Sequence, residues 1–203
     1  MEVKDRIRLK AEELFRKLGI RSVTMDEIAG QLGISKKTIY LYYADKDEIV
    51  DAVISDTINN SQGLCDVHRS ASLNAIHEVF LMMEMIKEMF QDMNPSILHD
   101  LERSHPRSFQ KFLQHKYKYI YQVMMDNLER GIREALYRSE LKIDIIAKLR
   151  LETMMLSFNQ EVFPKAKYNL LEVEQQIIDH YLYGIASMKG YKLILKYQQD
   201  KKV

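Results

Sequence analysis

The chain has 203 residues, 46% hydrophobic and 29% charged, a balance that supports a packed core and excludes wholesale disorder. Seven Gly and three Pro are too few for the turns of an all-β protein of this length, and the single cysteine, Cys65, excludes an intrachain disulfide framework and suits a reducing compartment. With 30 basic and 29 acidic residues the formal net charge is +1, so bulk charge points to no partner. Met1 to Arg6 are charged with no apolar run behind them, and no stretch is apolar over membrane-spanning length, so a cytoplasmic protein without a membrane partner is expected.

In chain order, Ile7, Ala11, Leu14, Phe15 and Leu18 form the one-sided stripe of an amphipathic helix, and Gly19 is placed to end it in a left-handed cap. Thr24, with Glu27 three residues on, predicts a capping box opening a short helix through Ile28, Ala29 and Leu32 that ends at Gly33. Ser35 is expected to cap a helix from Lys36 to about Tyr42, and another begins near Lys46 and weakens at Asn59-Asn60-Ser61-Gln62-Gly63. Beyond it the pattern predicts helices over about 72–91 and 96–104. A long one follows from Pro106 to about Tyr137, then one over 144–163 stopped by Pro164, and a last one over 172–198. No strand alternation persists over a useful length, so the fold class is all-α: an N-terminal three-helix helix-turn-helix domain and a larger C-terminal helical domain.

Two short helices joined through Gly33, with one helix ahead of them, place Lys36, Lys37 and Thr38 in the first turn of the second. There lysine donors suit guanine acceptors and a threonine suits a base edge or thymine methyl. Tyr40 and Tyr42 keep an apolar shank on the protein and offer a hydroxyl to phosphate. Residues 1–50 carry 10 Lys or Arg against 9 Asp or Glu, so the reading rests on placement and not on charge. The run from Thr24 through Asp26-Glu27-Ile28-Ala29, Leu32-Gly33-Ile34-Ser35, Lys36-Lys37-Thr38-Ile39-Tyr40-Leu41-Tyr42-Tyr43 to Lys46 resembles the DNA-binding domain of the TetR family of bacterial transcriptional regulators. The resemblance covers the first fifty residues; Lys37 departs from it, since a small residue or Pro is commoner there. It implies phosphate contacts by Thr24, Tyr40, Tyr42 and Lys46 and base contacts by Lys36 to Thr38. It implies residues 1–46 as the DNA-binding domain and 47–203 as an effector-binding and dimerisation domain.

The second region is rich in methionine, a side chain that lines adaptable cavities as readily as irregular cores. Met82, Met85, Met89, Tyr121, Met124, Met125, Met155, Phe158 and Asn159 are the expected lining of an apolar effector pocket, with His77 and Asn127 as further polar candidates. Leu171, Ile178, Tyr181, Leu182 and Ile185 form one apolar face near the C-terminus, and Ile145, Leu149, Met155 and Leu156 another. Burial within one subunit satisfies this periodicity as well as a homodimer does. The resemblance implies a dimer, a pseudo-palindromic double-stranded operator, and a repressor released by a small-molecule effector of unidentified chemistry. No cofactor, metal or catalytic residue is expected. An enzymatic alternative, a metal-dependent phosphohydrolase of the HD type, has only His99-Asp100 with His77 and Asp126 in its favour. A non-enzymatic one is a helix-turn-helix used for protein contacts without specific DNA binding.

Overall fold

The computed structural model describes residues 1–200. These form α1 (Val3–Leu18), α2 (Met25–Leu32), α3 (Lys36–Tyr40), α4 (Lys46–Ala71), α5 (Ala75–Phe90), α6 (Ile97–Ser104) and α7 (Pro106–Gln114), then a π-helical turn (His115–Ile120), α8 (Tyr121–Arg133), α9 (Ile143–Leu156), α10 (Leu170–Ile185) and α11 (Met188–Asp200). The described residues pack as two compact units, 1–61 with 92–115, and 62–91 with 116–200. The first unit is therefore larger than a 1–46 domain, because α6 and α7 pack with the N-terminal helices.

In the first unit α1 buries Ile7, Ala11, Leu14 and Phe15, which join Ile20, Val23, Ile28, Ile39, Ile49, Val53 and Leu101 in one core. The Thr24 hydroxyl accepts from the Glu27 amide at 3.1 Å and Gly33 closes α2 in a left-handed conformation, both as the sequence predicts. Gly19 departs from expectation: its φ is +85° but its ψ is 153°, so the chain leaves α1 extended and delivers Ile20 and Val23 to the core. A Cβ there would lie 2.8 Å from Ser96 Oγ and 3.0 Å from Asp100 Oδ2. Helix α3 ends at Tyr40, short of the expected Tyr42, as the Tyr42 and Tyr43 amides both turn back to the Ile39 carbonyl.

In the second unit Ala75, Ile76, Phe80, Leu128, Tyr137, Ala147, Leu182, Ile185 and Ile194 form the core. Helix α4 runs unbroken through Asn59–Gly63, against expectation, and tertiary bonds outweigh weak propensity there. The Tyr119 hydroxyl donates to the Gln62 carbonyl at 3.0 Å and bonds Asp66 at 3.1 Å. Burial is the main cause pushing that phenol up to about 12. The helix expected to run from Pro106 to Tyr137 passes through the π turn and stops at Arg133, where Ala135 (φ 56°) reverses the chain. Helix α9 ends at Leu156, before Pro164, because the Asn159 carboxamide accepts from the Glu161 and Val162 amides and folds a turn instead. The last expected helix is two helices. Tyr137 pairs with Ala186 in an isolated β-bridge, and the Ser187 amide donates to the Leu136 carbonyl at 2.9 Å. Gly190 is required at this junction, since a Cβ would sit 2.0 Å from the Leu136 carbonyl oxygen.

One buried ion pair joins α9 to α10: Arg150 Nη2 lies 2.7 Å from Glu174 Oε1, at 6% and 0% residue exposure. Burial raises the Glu174 pKa, with Arg150 and Ser157 acting against it. Removing one partner leaves the other charge buried alone, so Arg150→Ala is expected to destabilise the protein by about 3–5 kcal/mol, while Arg150→Met with Glu174→Leu stays near wild type. Without Arg150 the Glu174 pKa rises further in the folded state. The fold is then favoured below the unfolded value and loses that contribution as pH rises, so the Arg150→Ala deficit is expected to shrink in acid. Urea unfolding at pH 4.5 and pH 7.5 reads both effects; an equal deficit at the two pH values would overturn the second.

Candidate nucleic-acid interface

The first unit presents α3 on two capped short helices. Ser35 Oγ accepts from the Thr38 amide at 3.1 Å and pairs with Thr38 Oγ1 at 2.8 Å, so the turn that carries Lys36, Lys37 and Thr38 is fixed from its first residue. Ile39 and Tyr43 point inward and are buried, while Lys37, Tyr40, Tyr42 and Thr24 are exposed and Lys36 and Thr38 are half-buried. The structure therefore brings Lys36, Lys37, Thr38 and Tyr40 onto one short helix, with Tyr42 in the turn just after it and Thr24 at the start of α2. Donors exposed on a helix whose other face is locked into a core are what groove readout requires.

Two of the expected contact residues already have protein partners. Lys36 Nζ lies 2.8 Å from Asp26 Oδ2, and this hydrogen bond is the main cause raising the lysine pKa above its usual value. Lys46 turns inward: its ammonium donates to the carbonyls of Ile20 at 2.6 Å and Val23 at 2.5 Å and sits 5.9 Å from the Phe15 ring centroid. Burial lowers its pKa. The same turn is held from α6, where Asp100 Oδ2 accepts from the Arg21 amide at 2.9 Å; just ahead of α6, the Asn94 amide donates to the Arg16 carbonyl of α1 at 2.6 Å. Sequence reasoning missed Asp26, although an acid in the first turn of α2 and a lysine in the first turn of α3 are brought together by the intervening tight turn. It also missed Asp100, which has no local signal because it is distant in sequence from Arg21.

Asp100 is thus an anchor for the Arg21 amide and its neighbour His99 faces outward, which dismantles the HD reading of that pair. Among the described residues no group of three or more His, Cys, Asp or Glu side chains converges to hold a metal ion.

The expected effector residues lie in different surroundings. Tyr121, Met124 and Met125 pack against the second core, Met82, Met85, Met89 and Met155 are half-buried, and Phe158 lies edge-on to Phe90 at 5.0 Å. Asn127 is a satisfied core residue, donating to the Ala75 carbonyl and accepting from the Tyr137 hydroxyl; His77 stacks on Tyr197. Asn159 is exposed and occupied by its own turn. A cleft of about 630 Å³ instead lies along α9 and α10, walled by residues including Ile146, Leu149, Leu156, Ile177 and Tyr181. Of the two faces expected near the C-terminus, Ile178, Leu182 and Ile185 are buried within the second unit, while Ile145, Leu149 and Leu156 remain exposed at 56%, 57% and 37%.

An all-helical protein with an N-terminal helix-turn-helix and a larger helical region is the class that fold and interface define. Residues 7–53 match the model of the bacterial regulatory proteins of the tetR family. The match places a helix-turn-helix domain of the tetR type in the N-terminal part of the chain, and the rest of the chain shares the fold of such regulators. It is similar to YvaF, an uncharacterized HTH-type transcriptional regulator of Bacillus subtilis, with 33% identity over 85 residues; the match spans 41% of this chain and 45% of that protein. It is 23% identical over 159 residues to the HTH-type transcriptional repressor KstR2 of Mycobacterium tuberculosis, across 72% of this chain and 75% of the repressor. The solved KstR2 structure superposes with a TM-score of 0.63 at 20% identity, covering 92% and 96% of the two chains. The regulator FadR from Bacillus subtilis, solved with stearoyl-CoA, gives 0.63 at 17% identity over 89% of this chain and 98% of that one.

The two hydrogen bonds that Lys46 donates to the turn predict a stability role. Lys46→Ala is expected to cost about 1–3 kcal/mol in urea unfolding through loss of charge-assisted hydrogen bonds. A variant as stable as wild type would show that the ammonium leaves those carbonyls in solution.

Proposed function

We propose that the chain is a ligand-responsive repressor that binds a pseudo-palindromic DNA operator as a homodimer. The observation that carries the DNA reading is the doubly capped α2–α3 arrangement with Lys36, Lys37 and Thr38 in the exposed first turn of α3. Lys36 to Thr38 approach base edges. Thr24, Tyr40 and Tyr42 contact phosphate, and Lys46, with two of its three donors held by the α1–α2 turn, has one left for phosphate. The similarity to a protein named a repressor, KstR2, supports repression.

The exposed Ile145, Leu149 and Leu156 on α9, beside the apolar cleft along α10, support this pair of helices as the homodimer face. A two-fold dimer presents two α3 helices to successive major grooves, about 34–36 Å apart or more. The methionine-rich α5 and α8, with Tyr121, Met155 and Phe158, are the place for an apolar effector, and a family relative solved with stearoyl-CoA supports a small-molecule ligand. Effector binding acts on DNA only through a difference in affinity for the two forms of the dimer, and α4, continuous from Lys46 to Ala71, is the element shared by both units.

Selection from a randomised duplex pool is expected to enrich one two-fold-symmetric site. Lys36→Ala is expected to weaken that site on the order of tenfold and relax choice at one base position, with little change on random DNA. Failure to enrich any sequence would leave the helix-turn-helix as a protein-contact device. Leu149→Glu is expected to convert the dimer to monomer in sedimentation velocity while the helical content is kept. A Leu149→Glu protein that sediments as wild type would move the interface elsewhere.

A further inference from the structure

Lys36 does not stand alone at the surface that faces DNA. Its ammonium is held 2.8 Å from Asp26 Oδ2 across the tight turn, from the first turn of α3 to the first turn of α2. Both side chains stay open to solvent, at 42% and 71% exposure, so the pair lies at the surface of the unit and not in its core. A lysine ammonium has three donors. Asp26 takes one and leaves two, so the pair does not have to break for Lys36 to reach a base edge. What the carboxylate removes is freedom: a four-carbon stem that otherwise sweeps over base edges and phosphates alike is tethered to one place.

We propose that Asp26 is a specificity-determining positioning residue that acts through Lys36, holding its ammonium on a base edge and off the phosphates. The inference rests on the DNA-reading role of Lys36. It is separate from the capping of α2, which belongs to Thr24 through the Glu27 amide.

With Asp26 in place, random DNA gains no contact from Lys36. Without it, the released ammonium collects a phosphate on any sequence. Asp26→Asn and Asp26→Ala are therefore expected to raise affinity for random duplex DNA and to steepen its salt dependence by about one in log–log slope. The ratio of selected-site to random affinity is expected to fall about two- to fivefold per half-site, the range of a solvent-exposed ion pair. Base preference is expected to relax at the one position that Lys36→Ala also relaxes.

The test measures full-length wild type, Asp26→Asn, Asp26→Ala, Lys36→Ala and the Asp26→Asn/Lys36→Ala double variant. Each is titrated by fluorescence anisotropy on the selected duplex, its single-position variants and a random duplex across a salt series. The inference requires that Asp26→Asn change neither base preference nor salt slope once Lys36 is gone. If the Asp26→Asn effect persists in the Lys36→Ala background, the acid acts as plain repulsion toward DNA and the inference is overturned. Wild-type specificity in Asp26→Asn and Asp26→Ala overturns it too. A wild-type protein that prefers no duplex over random DNA overturns both this inference and the regulator reading, and so separates the two failures. Circular dichroism melting of each variant identifies any loss that comes from unfolding.

Discussion

The six residues between α1 and α2 are the point on which the DNA-facing part of the molecule depends. Backbone carbonyls and amides at a loop need partners, and here two charged side chains supply them from different helices. Lys46 of α4 caps the carbonyls of Ile20 and Val23, and Asp100 of α6 takes the amide of Arg21. Gly19 makes the approach of α6 feasible, since any side chain there would meet Ser96 and Asp100. With the turn pinned, Ile20 and Val23 stay in the core and α2 starts at a fixed place, and the recognition helix inherits that placement through Gly33 and Ser35. Two further ties run from α7 to α4 within the same unit: His105 Nδ1 lies 2.5 Å from Asp47 Oδ1, and Lys111 Nζ lies 2.7 Å from Asp51 Oδ2. The first turns of α4 are thus anchored on one side by the DNA-reading helices and on another by α6 and α7.

The second unit solves a different problem. Its helices are long and its core apolar, yet α9 and α10 meet over a charged pair that is nearly dry. Burying such a pair brings little net stability, because desolvation offsets attraction. Its effect is geometric: only one register of α9 against α10 brings Arg150 to Glu174, and the Arg150 guanidinium also lies 5.7 Å from the Tyr181 ring centroid. The exposed apolar side chains of α9 are presented in the register that this pair sets.

Much of this was legible in the residues. The helix class, the caps at Thr24, Gly33 and Ser35, and the order of donors on α3 follow from local rules that operate over three or four residues. What the residues left unsignalled was whatever depended on distant partners. The run Asn59–Gly63 reads as a break, and Tyr119 keeps it helical; residues 172–198 read as one helix, and the returning strand-like segment at Leu136–Tyr137 divides it. Lys46 reads as a phosphate ligand, and the carbonyls it serves lie more than twenty residues earlier in the chain. Methionine content signals adaptable apolar packing without fixing which side of each helix it faces. The cleft along α9 and α10 falls on the two helices whose periodicity left burial and association equally open.

The junction between α10 and α11 carries a mechanical implication. At Gly190 the helix backbone comes against the Leu136 carbonyl with no room for a single methyl group, while the Ser187 hydroxyl and the Lys189 ammonium bond the carbonyls of Ala135 and Glu134. Such a contact resists sliding of α11 along its axis far more than it resists small rotations about the contact point. Farther along, Ile194 in the core and Tyr197 against His77 hold α11 as well, so a slip by a helical turn requires the reversal at Ala135 to open first.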